Sequence, residues 1–204
     1  MTVYNLGPGN NFFNLSDNSN DQINGEDGND SLDRGTGSDD LFGGNGDDSL
    51  YDSSAGDLNR YYGGDGNDLI FGGPGDFGDI ADGGIGIDRI TLHYGASSLW
   101  LRVTVGPAFY VLLGGAQAIN LQNVEALTIF CTNQSDLITG GAYDDVITSF
   151  NGNDTLLGRG GNDSFILGTS GSIQVDGDGA TTRSRYPSGR RPAVSSLRRA
   201  PTPR

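Results

Sequence analysis

The residues in this chain with the most chemistry to offer are aspartates that recur at a fixed interval. Asp21, Asp30, Asp39 and Asp48 stand nine residues apart. Asp68 and Asp88 occupy the same place in GGDGNDLIF (from Gly63) and GGIGIDRIT (from Gly83), as Asp48 does in GGNGDDSLY (from Gly43). Looser copies precede them: SDNSNDQIN from Ser16, GEDGNDSLD from Gly25 and RGTGSDDLF from Arg34. A second block keeps the period with CTNQSDLIT from Cys131, GGAYDDVIT from Gly140, SFNGNDTLL from Ser149 and GRGGNDSFI from Gly158. The common form is G-G-x-G-x-D-x-U-x, with U a large apolar residue. A carboxylate is a hard ligand, and glycines at the first, second and fourth positions allow positive φ and let backbone carbonyls crowd inward. Calcium takes about six to eight oxygens at roughly 2.3–2.6 Å, and stacked turns of this kind offer both carboxylates and carbonyls.

Other chemistries fit the residues poorly. The single histidine, His93, rules out a His-rich zinc site and would have to serve any Ser-His-Asp triad; it reads as structural or exposed. The single cysteine, Cys131, can form no internal disulfide and reads as a small apolar packing residue. The stretch GPGDFG, Gly73 to Gly78, has the letters of a dinucleotide fingerprint, but no helix pattern follows and the nonapeptide phase accounts for its glycines. The two glutamates, Glu26 and Glu125, lack the upstream residues of an EF-hand loop. No catalytic constellation is present, and the chain reads as a non-enzyme.

The elements that must position the aspartates follow from the same repeat. Each x-U-x tail is a three-residue strand, with Ile23, Leu32, Leu41, Leu50, Ile70 and Ile90 pointing inward in the first block and Ile138, Ile147, Leu156 and Phe165 in the second. Ordering nine residues to bury one large side chain is a poor exchange in conformational entropy. The metal-free chain is therefore expected to be largely unfolded, with calcium supplying attraction and neutralising the stacked carboxylates.

Over residues 16–91 and 131–166 the pattern resembles the RTX (repeats-in-toxin) family. The resemblance implies an all-β fold, a right-handed parallel β-roll with two nonapeptides per coil, glycine turns along both edges and Ca2+ between successive turns. Relatives of that kind stay unfolded during type I export and fold in calcium-rich surroundings outside the cell. The expected organisation is a lead-in over 1–15, a first block over 16–91, an irregular β-rich segment continuing the solenoid over 92–130 and a second block over 131–179 that decays after 166. A disordered arginine-rich tail is expected over 180–204.

With two repeats per coil, odd and even repeats lie on opposite edges. The fifth repeat, Asp52–Tyr62, and the seventh, Gly72–Asp82, each carry eleven residues, so both insertions fall on the odd edge. The best metal ligands are then expected on the even edge: Asp30, Asp48, Asp68 and Asp88. Asp21, Asp39, Asp57 and Asp79 are the weaker odd-edge candidates, and Asp136, Asp145, Asp154 and Asp163 those of the second block. Carbonyls of Gly43, Gly44, Gly46, Gly63, Gly64, Gly66, Gly83, Gly84, Gly86, Gly140 and Gly141 would complete the shells. Aromatic residues at the ninth position, Tyr51 with Phe71 and Phe42 with Tyr62, are expected to stack as ladders.

Composition agrees. Of 204 residues 34% are hydrophobic and 35 are glycine, too little apolar material for an ordinary core. All 26 acids precede Ala180, whereas seven of the 12 basic residues, all arginine, follow it. So acidic a body repels nucleic acid and anionic membranes and attracts hard cations. No apolar run reaches membrane-spanning length, and MTVYNLGPGN shows no classical signal peptide. An extracellular location by a type I route is the expectation, although no export signal is identifiable. Three roles stay open: a calcium-folded module in its own right, the non-catalytic portion of a secreted hydrolase or toxin, or a spacer in an adhesin or surface protein.

Overall fold

The computed structural model describes residues 1–51, 57–72, 78–104, 110–177, 183–185 and 193–194. Its elements are strands throughout: β1 (Val3–Asn5), β2 (Phe12–Asn14), β3 (Gln22–Asp27), β4 (Ser31–Asp33), β5 (Asp40–Asn45), β6 (Ser49–Tyr51), β7 (Arg60–Asp65), β8 (Leu69–Gly72), β9 (Asp79–Ile85) and β10 (Arg89–His93). Then come β11 (Leu101–Thr104), β12 (Tyr110–Leu113), β13 (Ala116–Gln122), β14 (Ala126–Phe130), β15 (Leu137–Thr139), β16 (Val146–Thr148), β17 (Thr155–Leu157), β18 (Ser164–Ile166) and β19 (Ser172–Asp176). β20 (Arg183–Arg185) and β21 (Ala193–Val194) close the series. The fold is a parallel β-solenoid, in which successive repeat strands alternate between two sheets.

Two compact units share the chain, Met1–Leu92 with Ala116–Glu125, and His93–Gly115 with Ala126–Arg204. In the first, β1, β3, β5, β7, β9 and β13 form one parallel stack. β2, β4, β6, β8 and β10 form the other. The middle residue of each short strand faces in, because side chains alternate across a strand. Ile23 pairs Leu41, Leu41 pairs Tyr61 and Tyr61 pairs Ala81 on one sheet, all fully buried. Leu32, Leu50, Ile70 and Ile90 do the same on the other. The bulk of Tyr61 beside the small Ala81 keeps the filled volume even from coil to coil, as close packing demands.

The register also resolves the fifth repeat. Because Arg60 pairs Asp40 and Tyr61 pairs Leu41, the residue before the strand, equivalent to Asp39, is Asn59. Counting forward from Asp52 puts Asp57 there instead. The added residues therefore stand at the front of the repeat, and the nine-residue phase resumes before Asp57. The inserted stretches themselves, 52–56 and 73–77, lie outside the described residues, as does most of the GPGDFG stretch.

In the second unit, β11, β15, β17 and β19 stack in parallel, as do β14, β16, β18 and β20. Fully buried Val103, Ile138 and Leu156 line one stack, and Ile129, Ile147 and Phe165 the other. The irregular 92–130 segment differs from the repeats in one respect: β11 and β12 pair antiparallel, Val103 opposite Val111. β13 and β14 return to parallel pairing. In the arginine-rich tail, β20 and β21 pair in parallel with β18 and β19; the expectation of disorder otherwise falls on residues outside those described.

Both aromatic ladders form. The Phe42 and Tyr62 rings lie 4.8 Å apart and 7° from parallel, and Tyr51 and Phe71 lie 4.5 Å apart at 10°. Cys131 is a fully buried free thiol, pushed well up in pKa by burial. His93 stacks on Phe130 with ring centres 4.4 Å apart.

Candidate metal centres in the turns

Each turn delivers its aspartate to a buried position just before a strand, and there the carboxylate joins neighbouring coils. On the even edge of the first unit, Asn11 N–H donates to Asp30 Oδ1 (2.7 Å), Asp30 N–H to Asp48 Oδ1 (2.7 Å), Asp48 N–H to Asp68 Oδ1 (2.8 Å) and Asp68 N–H to Asp88 Oδ1 (2.8 Å). The odd edge runs in the same way: Thr2 N–H to Asp21 (2.6 Å), Asp21 N–H to Asp39 (2.7 Å), Asp39 N–H to Asn59 Oδ1 (3.0 Å) and Asn59 N–H to Asp79 Oδ1 (2.8 Å). In the second unit, Leu101 and Asp136 donate to Asp136 and Asp154, while Leu127 and Asp145 donate to Asp145 and Asp163. One carboxylate oxygen of each aspartate is thus committed to the backbone of the coil before it.

The second oxygen separates the edges. On the even edge, Oδ2 of Asp30, Asp48, Asp68 and Asp88 is buried with no hydrogen-bond partner. A buried carboxylate oxygen without a donor is costly, which points to a cation. The glycines show where it would sit. A Cβ added to Gly43 would fall within 3.0 Å of both Asp48 Oδ2 and the Gly63 carbonyl oxygen of the next coil. Gly25 is related in the same way to Asp30 and Gly43, and Gly63 to Asp68 and Gly83. None of these first-position glycines has positive φ, so what glycine supplies here is the hollow itself. At Gly44, Gly46, Gly64, Gly66, Gly84 and Gly86, φ lies between 106° and 154° and a carbonyl of the preceding coil lies where a Cβ would stand.

The odd edge instead supplies donors from the chain. Arg34 replaces the first-position glycine, is fully buried, and its Nη1 donates to the Gly37 carbonyl (2.7 Å) and to Asp39 Oδ2 (3.3 Å). A guanidinium thereby occupies ground that a metal would share. Ser19 donates its hydroxyl to Asp21 Oδ2 (2.5 Å). Asn59 brings a neutral amide. Asp79, farther along this edge, has a buried Oδ2 with no hydrogen bond, as on the even edge. Asp57 lies outside the ladder, two residues ahead of Asn59, where its Oδ2 accepts from Gly37 N–H at 3.0 Å.

The second unit repeats the contrast. Thr132 N–H and hydroxyl donate to Asp136, and the Ser149 hydroxyl donates to Asp154 Oδ2. Asp145 and Asp163 have the glycine hollow: a Cβ at Gly140 would meet Asp145 Oδ2 and the Gly158 carbonyl, and one at Gly158 would meet Asp163 Oδ2. Asp163 Oδ2 has no hydrogen bond, whereas Asp145 Oδ2 accepts from Gly141 N–H (2.8 Å).

Burial pushes the aspartates up in pKa, Asp48 to about 7 with the charges of Asp68 and Asp30 adding to it, and Asp88 to about 6 with Asp68 and Glu125 adding. Asp136 rises to about 6 through burial, against the donors from Thr132. Burial likewise raises Asp39, Asp68, Asp154 and Asp163. For Asp21 burial pushes upward, yet the Ser19 hydroxyl and Thr2 N–H hold it below the ordinary value.

A further ladder, unforeseen from the consensus, runs at the fifth position in the opposite sense. Asp47 N–H donates to Asn29 Oδ1, Asn67 N–H to Asp47 Oδ1 and Ile87 N–H to Asn67 Oδ1. Its signal in the sequence is the Asn, Asp or Ser that precedes most repeat aspartates. Among the described residues no three carboxylate, histidine or cysteine side chains converge on a point. A metal held here would draw mostly on backbone carbonyls, which suits hard oxygen-seeking calcium rather than zinc.

A solenoid whose stacked turns present buried carboxylates beside carbonyl-lined hollows is a metal-binding repeat module. The RTX calcium-binding nonapeptide repeat matches the chain in four copies, over residues 15–41, 33–58, 55–90 and 132–165, more than half its length. The chain belongs to that family of calcium-binding β-roll modules. No curated protein matches it in sequence. Among the described residues no helix is long and apolar enough to cross a membrane.

Proposed function

We propose that this module folds by binding calcium, and that it does so outside the cell, where calcium is abundant. The observation that carries the reading is the row of buried, donorless Oδ2 atoms on Asp30, Asp48, Asp68 and Asp88, each beside a glycine hollow. Bound calcium would neutralise these charges and draw neighbouring coils together; the aspartates hold one oxygen for it while the other fixes the coil spacing. Asp163 plays that part in the second unit, and Asp145 has the glycine hollow but shares its Oδ2 with Gly141 N–H. On the opposite edges Arg34, Ser19, Thr132 and Ser149 stand in for metal, so Asp21, Asp39, Asp136 and Asp154 contribute less, and Asp57 contributes no ligand. The affinity expected is that of extracellular modules, about 10⁻⁴–10⁻³ M. Equilibrium dialysis with calcium tests the reading: several ions bound per chain with cooperative onset support it, and none bound at millimolar calcium refutes it.

The same carboxylates set a pH dependence. A carboxyl whose folded pKa is raised binds its proton more tightly in the folded state, so it stabilises that state at low pH and loses the contribution as pH rises. For Asp48 the window runs from the ordinary 3.8 to about 7. The metal-free chain is therefore expected to hold more β-structure near pH 5 than near pH 7.5, and calcium to be needed most at the higher pH. Far-UV circular dichroism in chelator across that range checks this; a metal-free signal that gains β-structure on raising the pH contradicts it.

The module has no catalytic role in this reading. The family match and the acidic, solenoidal build also suit the non-catalytic part of a type I-secreted hydrolase or toxin, or a spacer in an adhesin. A hydrolase or toxin domain encoded in frame with this module would favour the first of these, and binding to cells or glycans the second.

A further inference from the structure

The even edge does not stop where its motif stops. After β10 the chain leaves the repeat pattern, which resumes only at Cys131, and no full G-G-x-G-x-D stretch follows Asp88. Yet β13 pairs in parallel with β9, Gln122 opposite Asp82, which sets Asn123 opposite Gly83. The turn that follows is cut short. Gly83 to Asp88 takes six residues, whereas the next coil goes from Asn123 to Glu125 in three.

The shortened turn preserves both polar features of a repeat turn. Asp88 N–H donates to Glu125 Oε2 at 2.9 Å, the bond that Asp68 N–H makes to Asp88. Glu125 N–H donates back to the Asp88 carbonyl at 3.0 Å, as Arg89 N–H, one residue past the repeat aspartate, does to Asp68. The longer glutamate side chain stands where the repeats use aspartate. The Asn123 carbonyl takes the place of the first-position glycine carbonyl: a Cβ on Gly83 would fall within 3.0 Å of both Asn123 O and Asp88 Oδ2. Asn123 has φ of 47°, a left-handed conformation that asparagine tolerates better than most residues. Its side-chain amide donates to Asp82 Oδ1 at 2.7 Å, which helps hold that carbonyl in place. Asp88 is fully buried, and its Oδ2 faces this hollow with no hydrogen bond.

We infer that Asp88 Oδ2, the Asn123 carbonyl and the Glu125 carboxylate complete the calcium site at the last hollow of the even edge, where the turn stacked on Gly83–Asp88 carries no repeat motif. The inference rests on the calcium reading above and extends it to a coil that the nonapeptide pattern does not reach. The site gives Glu125 a specific task, to cap the metal-bearing edge where the turn shortens.

Equilibrium dialysis at saturating calcium tests it on the full chain, with the parent, Glu125→Gln and Glu125→Asp side by side. Glutamine keeps the length and the acceptor for Asp88 N–H but not the charge, so the variant should bind one ion fewer than the parent. Aspartate keeps the charge but withdraws it, so Glu125→Asp should need several-fold more calcium to fill the last site. Both variants matching the parent in ion count and in midpoint would overturn the inference while leaving the repeat sites intact. Should Glu125→Gln fail to fold even in calcium, the Glu125→Asp midpoint decides alone: a shift supports the site and an unchanged midpoint overturns it. A parent that binds no calcium would refute the underlying reading instead.

Discussion

Asp48→Asn should raise the calcium concentration needed for folding by roughly tenfold or more, about 1.4 kcal/mol per tenfold, whereas Asp57→Asn should barely move it. The chain itself carries the first substitution at another coil. Asn59 occupies the ladder position on the odd edge, accepts Asp39 N–H at 3.0 Å and leaves the stack intact. An amide at Asp48 should therefore keep its bond from Asp30 while removing the charge that calcium needs. Asp48 also stands between two hollows on its edge, since Gly43 opens toward Gly63 and Gly25 toward Gly43. Asp57 is placed differently, outside the ladder with its Oδ2 on Gly37 N–H. Calcium titrations of β-structure for both variants beside the parent check this. Equal shifts would mean that the two edges serve calcium alike.

The second large effect is expected from a single added methyl. Gly63 lacks positive φ, so alanine meets no conformational objection there. Its Cβ, however, would fall within 3.0 Å of Asp68 Oδ2 and the Gly83 carbonyl. Gly63→Ala should fill the hollow, cost about 1–3 kcal/mol of overpacking, and remove one calcium site. Gly7 is the control: it has positive φ of 83°, but a Cβ added there would meet nothing within 4 Å. Gly7→Ala should cost only backbone strain and leave the calcium count unchanged. A Gly63→Ala chain that binds the parental number of ions at parental affinity would show that metal does not enter these hollows.

Much of this is legible in the nonapeptide phase. A glycine-rich turn, a buried aspartate and a three-residue strand repeat so regularly that Ile23, Leu32, Leu41, Leu50, Ile70 and Ile90 can be assigned to the core from their position alone, and all are fully buried. The hollows beside Asp48 and Asp68 are foreshadowed by the unbroken pairs Gly43–Gly44 and Gly63–Gly64. The register at Asn59 is not, because an insertion leaves two ways to count and Asp57 offers the expected letter on one of them. Counting backward from Tyr61, the inward residue of that strand, would find it. Arg34 looks like a degraded glycine, since a repeat consensus records the loss of a residue type and not the contact that replaces it. Glu125 is invisible for a similar reason. Its turn has neither the glycines nor the length of the repeat; the pairing of β13 with β9 brings the turn alongside, and only the bond from Asp88 N–H joins Glu125 to Asp88. The antiparallel pairing of β11 with β12 depends on tertiary context, which strand propensity does not encode.

If calcium, rather than apolar burial, makes this solenoid stable, the metal-free chain cannot hold the fold at neutral pH. Far-UV circular dichroism of the chain, first in excess chelator and then through a calcium titration to millimolar, tests this most directly. A disordered spectrum in chelator and a cooperative gain of β-structure with calcium are expected. A chain already fully β-structured in excess chelator, and unchanged by calcium, would contradict it.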